Sequence, residues 1–413
     1  MYQESRIIQV CVALSILLLP VAHLKLVFFH IPVYMIEIPV IITLCTFLLG
    51  IKKKIFKVSF HSLVSSAFAF GISLFFLGII TSFLMNEMSL RGLNMIKTWF
   101  VMPILLLSIW LQTHPQKRDI DILLLLWFGI TAIVSFLSNI YIFQGILTFD
   151  GRLSSWYTSP NYLAFFLAPG ILLTQYFFTH SLFKGKKWSK LMIFWMFISL
   201  LFSLFFTKSY STWIAVFLSS SIFLTLKYPV LQKKKIIISL LILSCIAFLF
   251  LFFELRTEKW QMMISLDSRS SIASRLMIWE SSIQMIAHYP LFGIGIGRFE
   301  EAYLAYQIFF PPYLEWAVPQ PHNLYLAIFL QAGIVGLSGF VLLLFSWLKN
   351  MFIFFRSEMS TSHTITRPLL LISLLCIFLL IGIVDTPFFK TDVVFCFWYI
   401  LFFGIALINT KKE

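Results

Sequence analysis

Long apolar runs separated by short basic connections dominate this chain, and no water-solvated core could hold so many of them. A helix needs ~20 mostly apolar residues to cross the hydrocarbon of a bilayer. Stretches of that kind lie near residues 7–22, 33–50, 60–84, 96–112, 120–143, 161–180, 191–207, 211–226, 236–253, 323–348, 368–384 and 392–410. Hydrophobic residues make up 60% of the chain and charged residues 12%, with 48 Phe, a balance suited to lipid as solvent. The short alternating segments of a transmembrane barrel are not evident. The expected fold is an all-α integral membrane protein of about 12 transmembrane helices, forming one polytopic domain over residues 1–413.

Basic residues set the expected orientation, because Lys and Arg are retained on the cytoplasmic side. Placing the amino terminus and every second connection inside gathers Arg6, Lys52, Lys53, Lys54, Lys57, Lys117, Arg118, Lys184, Lys186, Lys187, Lys190, Lys227, Lys233, Lys234, Lys235, Lys349, Arg356, Arg367, Lys411 and Lys412 there. Both termini are then cytoplasmic. The net charge of +14 is accounted for by clusters lying against membrane lipids with anionic headgroups, so no nucleic acid is needed as a partner. No small-residue cleavage site follows the first apolar run, which reads as a retained helix. Cys11, Cys45, Cys245, Cys376 and Cys396 all fall in apolar stretches and are odd in number, which suits packing better than a disulfide frame or a metal site.

The connection 254–321 is too long for an ordinary turn and reads as a large extracytoplasmic loop with a function of its own. Within it, "SRLMIWESSIQMIAHYP" places Leu276, Trp279, Ile283 and Ile286 at helical spacing, with Arg275, Glu280 and Gln284 on other faces. That predicts an amphipathic helix at the membrane surface. It ends at Pro290, before Gly293, Gly295 and Gly297. Their spacing lacks the following helix of a dinucleotide site and instead predicts a close backbone approach.

Polar groups collect at the expected outer ends of the helices: Arg152, Pro160 and Asn161; Lys208 to Ser211; Arg275 with Trp279; Pro321, His322 and Asn323; and Asp385, Lys390 and Asp392. Singly, each has an ordinary reading as a capped span entrance, a snorkelling cation or a short turn. Together, "GRLSSWYTSPNYLA", "SRLMIWESSIQMIAHYPLFGIGIGRF", "PHNLYLAIFLQAGIVGL" and "VDTPFFKTDVVFCFW" give residues 150–410 a resemblance to the O-antigen ligase and O-antigen polymerase superfamily. These are polytopic membrane glycosyltransferases that use polyprenyl-diphosphate-linked glycans. The resemblance implies inverting transfer without metal or cofactor, from a polyprenyl-diphosphate-linked oligosaccharide donor to a glycan or lipid acceptor. It also implies a place in surface polysaccharide synthesis, such as that of lipopolysaccharide, at the bacterial cytoplasmic membrane. By motif position it implies catalytic roles for His322, Arg275 and Arg152. Asn161, Lys208, Trp279, Asn323 and Asp385 are the accompanying candidates for substrate binding. One departure stands out: a Ser-Arg-Gly of the family is Ser209, Tyr210, Ser211 here, leaving only Lys208 to supply charge nearby.

These residue types suit such a reaction. Guanidinium groups pair with phosphate oxygens through charge-assisted bonds, and an imidazole with an ordinary pKa of about 6.5 can accept the proton of an attacking hydroxyl. At a helix entrance His322 would equally suit contact with a phosphate. Two other classes compete. A transporter of a lipid-linked glycan or small anion would be built from paired broken helices, of which the sequence shows no corresponding pair. A scaffold would use Trp156, Trp260, Trp279 and Trp316 as an interface.

Overall fold

The structure, a computed structural model, describes residues 2–28, 31–56, 64–183, 185–227, 252–255, 257–265, 270–309, 318–359 and 366–410, with isolated positions between 234 and 245. The apolar stretch at 236–253 lies largely outside the described residues, and Lys57, Lys184, Lys233, Lys235, Trp316, Lys411 and Lys412 lie wholly outside them.

Helices lie along the other apolar stretches: α1 (Tyr2–Leu17), α2 (Glu37–Lys52), α3 (Ser66–Met85), α4 (Leu90–Met95), α5 (Met102–Leu111), α6 (Lys117–Phe143), α7 (Pro160–Thr179), α8 (Lys187–Thr207) and α9 (Tyr210–Lys227). The loop region contributes α10 (Glu258–Ile264), α11 (Ser271–His288) and α12 (Phe299–Tyr306), followed by α13 (Leu324–Met359), α14 (Thr366–Ile381) and α15 (Thr391–Asn409). Among the described residues, 7 helices are long and apolar enough to cross a membrane, counting Leu90–Leu111 as one. The chain is therefore a multi-pass helical membrane protein, with one correction to the all-α expectation. Residues Lys25–Phe28 (β1) and Ile31–Tyr34 (β2) pair as an antiparallel ribbon, so the helix expected from residue 33 begins at Glu37. The β-branched and aromatic residues of that segment suit a strand, and its ladder bonds are made locally.

Lipid-like side chains point outward as well as inward: Phe70, Phe136, Trp195 and Phe345 are exposed. The centre of the bundle is α15, buried from Val393 to Leu407. Its polar atoms are matched, with the Trp398 indole donating to the Trp99 carbonyl (2.9 Å) and the Tyr399 hydroxyl to Ser15 (2.7 Å). Near one end of the bundle, the Asp121 carboxylate accepts two bonds from Arg367 (2.8 and 2.7 Å) and one from Tyr176 (2.9 Å). A buried charge survives only when paired in this way.

Glycine governs the tightest contact. Helices α3 and α13 meet backbone to backbone, and a Cβ at Gly78 would collide with Gly336 and the Ala332 carbonyl, while one at Gly339 would collide with Phe75. Small residues permit such approach where lipid removes the hydrophobic drive between helices. Further along, α13 is broken at Gly333 (φ 64°, ψ −173°). The loop after α11 fills the break: Ile294 N–H donates to the Leu330 carbonyl (2.7 Å) and Ile334 N–H to that of Pro290 (3.1 Å). Gly293, with φ 67°, lies so close that a Cβ would strike the Leu330 oxygen, the close approach its spacing predicted. Backbone groups freed within a membrane helix must be matched by protein in this manner.

The amphipathic helix forms, as α11, and the face that it packs against the rest of the protein is distinct from the Leu276 and Ile283 side. Ser274, Met277, Ile278, Ser281, Ser282 and Met285 are buried, whereas Leu276 is 45% and Ile283 59% exposed. Serine can occupy the inner face because Ser281 and Ser282 donate to the carbonyls of Met277 (3.1 Å) and Ile278 (2.7 Å) one turn back.

Candidate active site

Five segments distant in sequence meet at one end of the bundle. The first is the loop before α7. Ser159 caps that helix by accepting from Asn161 N–H (3.3 Å), with Pro160 at its first turn, so Asn161 sits at the helix mouth. The second is the end of α8, where Lys208 adopts φ 48° and stops the helix just after Thr207. Arg152 joins the two: its Nε donates to the Thr207 carbonyl (2.8 Å) and an Nη to the Asn161 side-chain oxygen (2.6 Å).

Asp385, in the turn between α14 and α15, is the hub. Its carboxylate is 1% exposed. It accepts from the Asn161 amide (3.2 Å) and from the Thr386 N–H (2.8 Å). Arg275, from α11, approaches it at 3.5 Å, and His322 Nδ1 lies 3.2 Å from its other oxygen. Burial alone would raise the Asp385 carboxyl, but His322, Arg275 and the Thr386 N–H outweigh it and hold the group down at about 2. Burial, with Arg275 close by, draws the Arg152 guanidinium below its ordinary value against the pull of Asp150; a group that basic still stays charged.

His322 itself is held in an unusual backbone conformation, φ 48°. For a residue with a Cβ this region costs roughly 1–2 kcal/mol, and the neighbours explain how it is kept. The Trp279 indole donates to the carbonyls of Pro321 (3.0 Å) and His322 (3.3 Å). On the preceding side the Gln320 side-chain oxygen accepts from the Thr386 hydroxyl, and its amide nitrogen donates to the Phe389 carbonyl (3.3 Å). On the following side Asn323 caps α13, its oxygen accepting from Tyr325 and Leu326 N–H (3.0 Å each) while its nitrogen donates to the Ile383 carbonyl (2.8 Å).

That cap changes one expectation. A helix entrance attracts phosphate through unpaired N–H groups, yet here Leu324 N–H already donates to the Gly382 carbonyl (2.7 Å) and Ala327 N–H to that of Asn323 (2.9 Å). The first turn of α13 thus offers no free donor, and the imidazole is the group left to act. With Nδ1 against a carboxylate, the neutral ring places its proton there and leaves the Nε2 lone pair open. Arg275 retains capacity too, since its Nε is buried with no hydrogen-bond partner.

The structure therefore brings Arg152, Asn161, Arg275, His322 and Asp385 together, with Trp279 and Asn323 supporting His322. Lys208 is not among the groups bonded to Asp385. Where the family arginine is missing, the Tyr210 hydroxyl donates to Glu254 (2.7 Å). Thr386 and the Thr207 carbonyl were not singled out in the sequence, because a backbone acceptor or a lone hydroxyl carries no local signature.

Residues 195–341 match the family described as O-Antigen ligase. That region holds Lys208, Arg275, Trp279, His322 and Asn323, with Arg152, Asn161 and Asp385 outside it. No curated protein matches the chain.

Proposed function

Because residues 195–341 match the O-antigen ligase family, we propose that the chain transfers or polymerises glycan from a polyprenyl-diphosphate-linked donor at the outer face of the cytoplasmic membrane. The observation that carries this reading is the Asp385 carboxylate bonded to both His322 Nδ1 (3.2 Å) and Arg275 (3.5 Å). One anion thereby orients a base and a cation toward the same space.

In the proposed reaction the acceptor hydroxyl attacks the sugar C1 and its proton passes to His322 Nε2. The bond from C1 to the diphosphate oxygen breaks on the opposite side, so the configuration inverts. Arg275, through its unpartnered Nε, and Arg152 offset the charge that grows on the departing diphosphate. Fixed cations in a partly dehydrated site are most effective at such a task, and no metal is required for it. Asp385 holds the imidazole tautomer and favours the imidazolium that forms. Asn161 passes the same anchor to Arg152, and both its amide ends are engaged in doing so. Asn323 is likewise a positioning residue in this scheme. In this arrangement both termini are cytoplasmic and the site faces outward.

The test is complementation of a deletion strain, followed by gel analysis of surface glycan. His322→Ala, inserted at the wild-type level, should abolish transfer; normal glycan from that variant would refute the catalytic role. Single-unit products in the deletion strain would indicate a polymerase, and accumulated unattached chains a ligase.

A further inference from the structure

A cavity of about 280 Å³ is walled by Asn94, Trp99, Gln320, Gln331, Phe389 and neighbours. Its size is near the lower end of the ~300–1,000 Å³ typical of small-molecule sites, enough for part of a glycan and too small for a long one. Gln320 ties it to the base. That residue lies two positions before His322, and it bonds Thr386, whose N–H bonds Asp385.

The lining is chemically unlike the Asp385 cluster. Gln331 is 5% exposed and its side-chain oxygen has no donor. The Asn94 amide donates to the Tyr34 hydroxyl (3.2 Å), and its buried oxygen also has no donor. Two buried acceptors without donors call for a ligand that brings O–H groups, since leaving such an oxygen unmatched is unfavourable. A diphosphate at neutral pH brings only acceptors. Arg275 and Arg152, by contrast, bring only donors. Two cations also line the cavity: Arg91 is paired with Glu300 at 3.0 Å, and the Lys390 ammonium lies over the Tyr162 ring, 4.0 Å from its centroid. Trp99 and Phe389, edge to face at 5.3 Å, add flat apolar surface of the kind that the C–H face of a pyranose covers. A glutamine two residues before the break in α13 would be a poor choice for packing alone, since polar groups at membrane depth ordinarily serve a site.

We propose that this cavity seats the acceptor sugar, its hydroxyls donating to Gln331 and Asn94, while the Asp385 cluster holds the donor's diphosphate. The inference rests on the glycosyl-transfer reading above and adds where the acceptor sits.

The probe is the acceptor's own glycan, free of diphosphate: the oligosaccharide released by mild acid from the lipid-linked glycan of the deletion strain if gel analysis indicates a polymerase, or the glycan of the lipid acceptor if it indicates a ligase. Saturation-transfer NMR with the full chain in nanodiscs should show it bound to wild type and to His322→Ala. Gln331→Leu and Asn94→Leu, on separate helices, should each weaken it tenfold or more, while binding of undecaprenyl diphosphate changes less than twofold. Absence of oligosaccharide binding to wild type, or unchanged binding to both leucine variants, would overturn the proposal. So would an equal loss of diphosphate binding in the two variants. Transfer by His322→Ala in cells tests the underlying reaction separately, so the two failures are distinguishable.

Discussion

His322 Nδ1 lies 3.2 Å from an oxygen of Asp385, although 63 residues separate them in the chain. The pairing places a proton on the inner ring nitrogen and leaves the outer one basic. Asp385→Asn keeps the shape and removes the charge, so the tautomer is no longer held and the imidazolium loses its partner. Glycan transfer should fall about 100-fold or more, within the range a positioned base contributes. The readout that a purely structural role would not move is rescue by charge: Asp385→Glu, which restores a carboxylate, should recover part of the transfer that the isosteric Asp385→Asn loses.

Arg275→Lys retains a positive charge and loses the planar fork. The buried Nε without a partner has no counterpart in an ammonium. Affinity for undecaprenyl diphosphate should drop by about tenfold, the worth of one charge-assisted bond. Equal affinity in a binding titration would separate Arg275 from the diphosphate.

Acid should weaken the fold through Asp385. Its folded-state pKa of about 2 lies below the ordinary 3.8, so its contribution is complete above about pH 4 and is lost as pH falls through 2. The difference corresponds to about 2 kcal/mol. Thermal unfolding in nanodiscs between pH 5 and 2 should show a smaller acid-dependent drop for Asp385→Asn than for wild type.

Gly78→Ala adds one methyl group where α3 touches the Gly336 backbone. Neither backbone can retreat as a flexible side chain would, so the helices must separate. Overpacking of this kind costs about 1–3 kcal/mol. The melting temperature should fall, while Gly129→Ala, whose new methyl meets nothing within 4 Å, should leave it unchanged or raise it.

The helices were legible in the sequence because a membrane helix closes its hydrogen bonds within itself, and hydropathy over a window is enough to reveal it. The residue types of the site were legible as well, since Arg152, Arg275, His322 and Asp385 interrupt otherwise apolar or loop-entry stretches where lipid would reject them. The inner face of α11 was not, because Leu276 and Ile283 are as apolar as Met277 and Ile278, and only the neighbours decide which pair is covered. The same holds for the break in α13, which needs the Pro290–Ile294 loop to match its freed carbonyl and N–H. Spans and candidate chemistry thus follow from the sequence by itself, as local consequences of composition and spacing. Which oxygen of Asp385 faces which partner, and that Asn161 links it to Arg152, was decided only in tertiary structure, where hydrogen bonds join groups whose separation along the chain leaves no periodic trace.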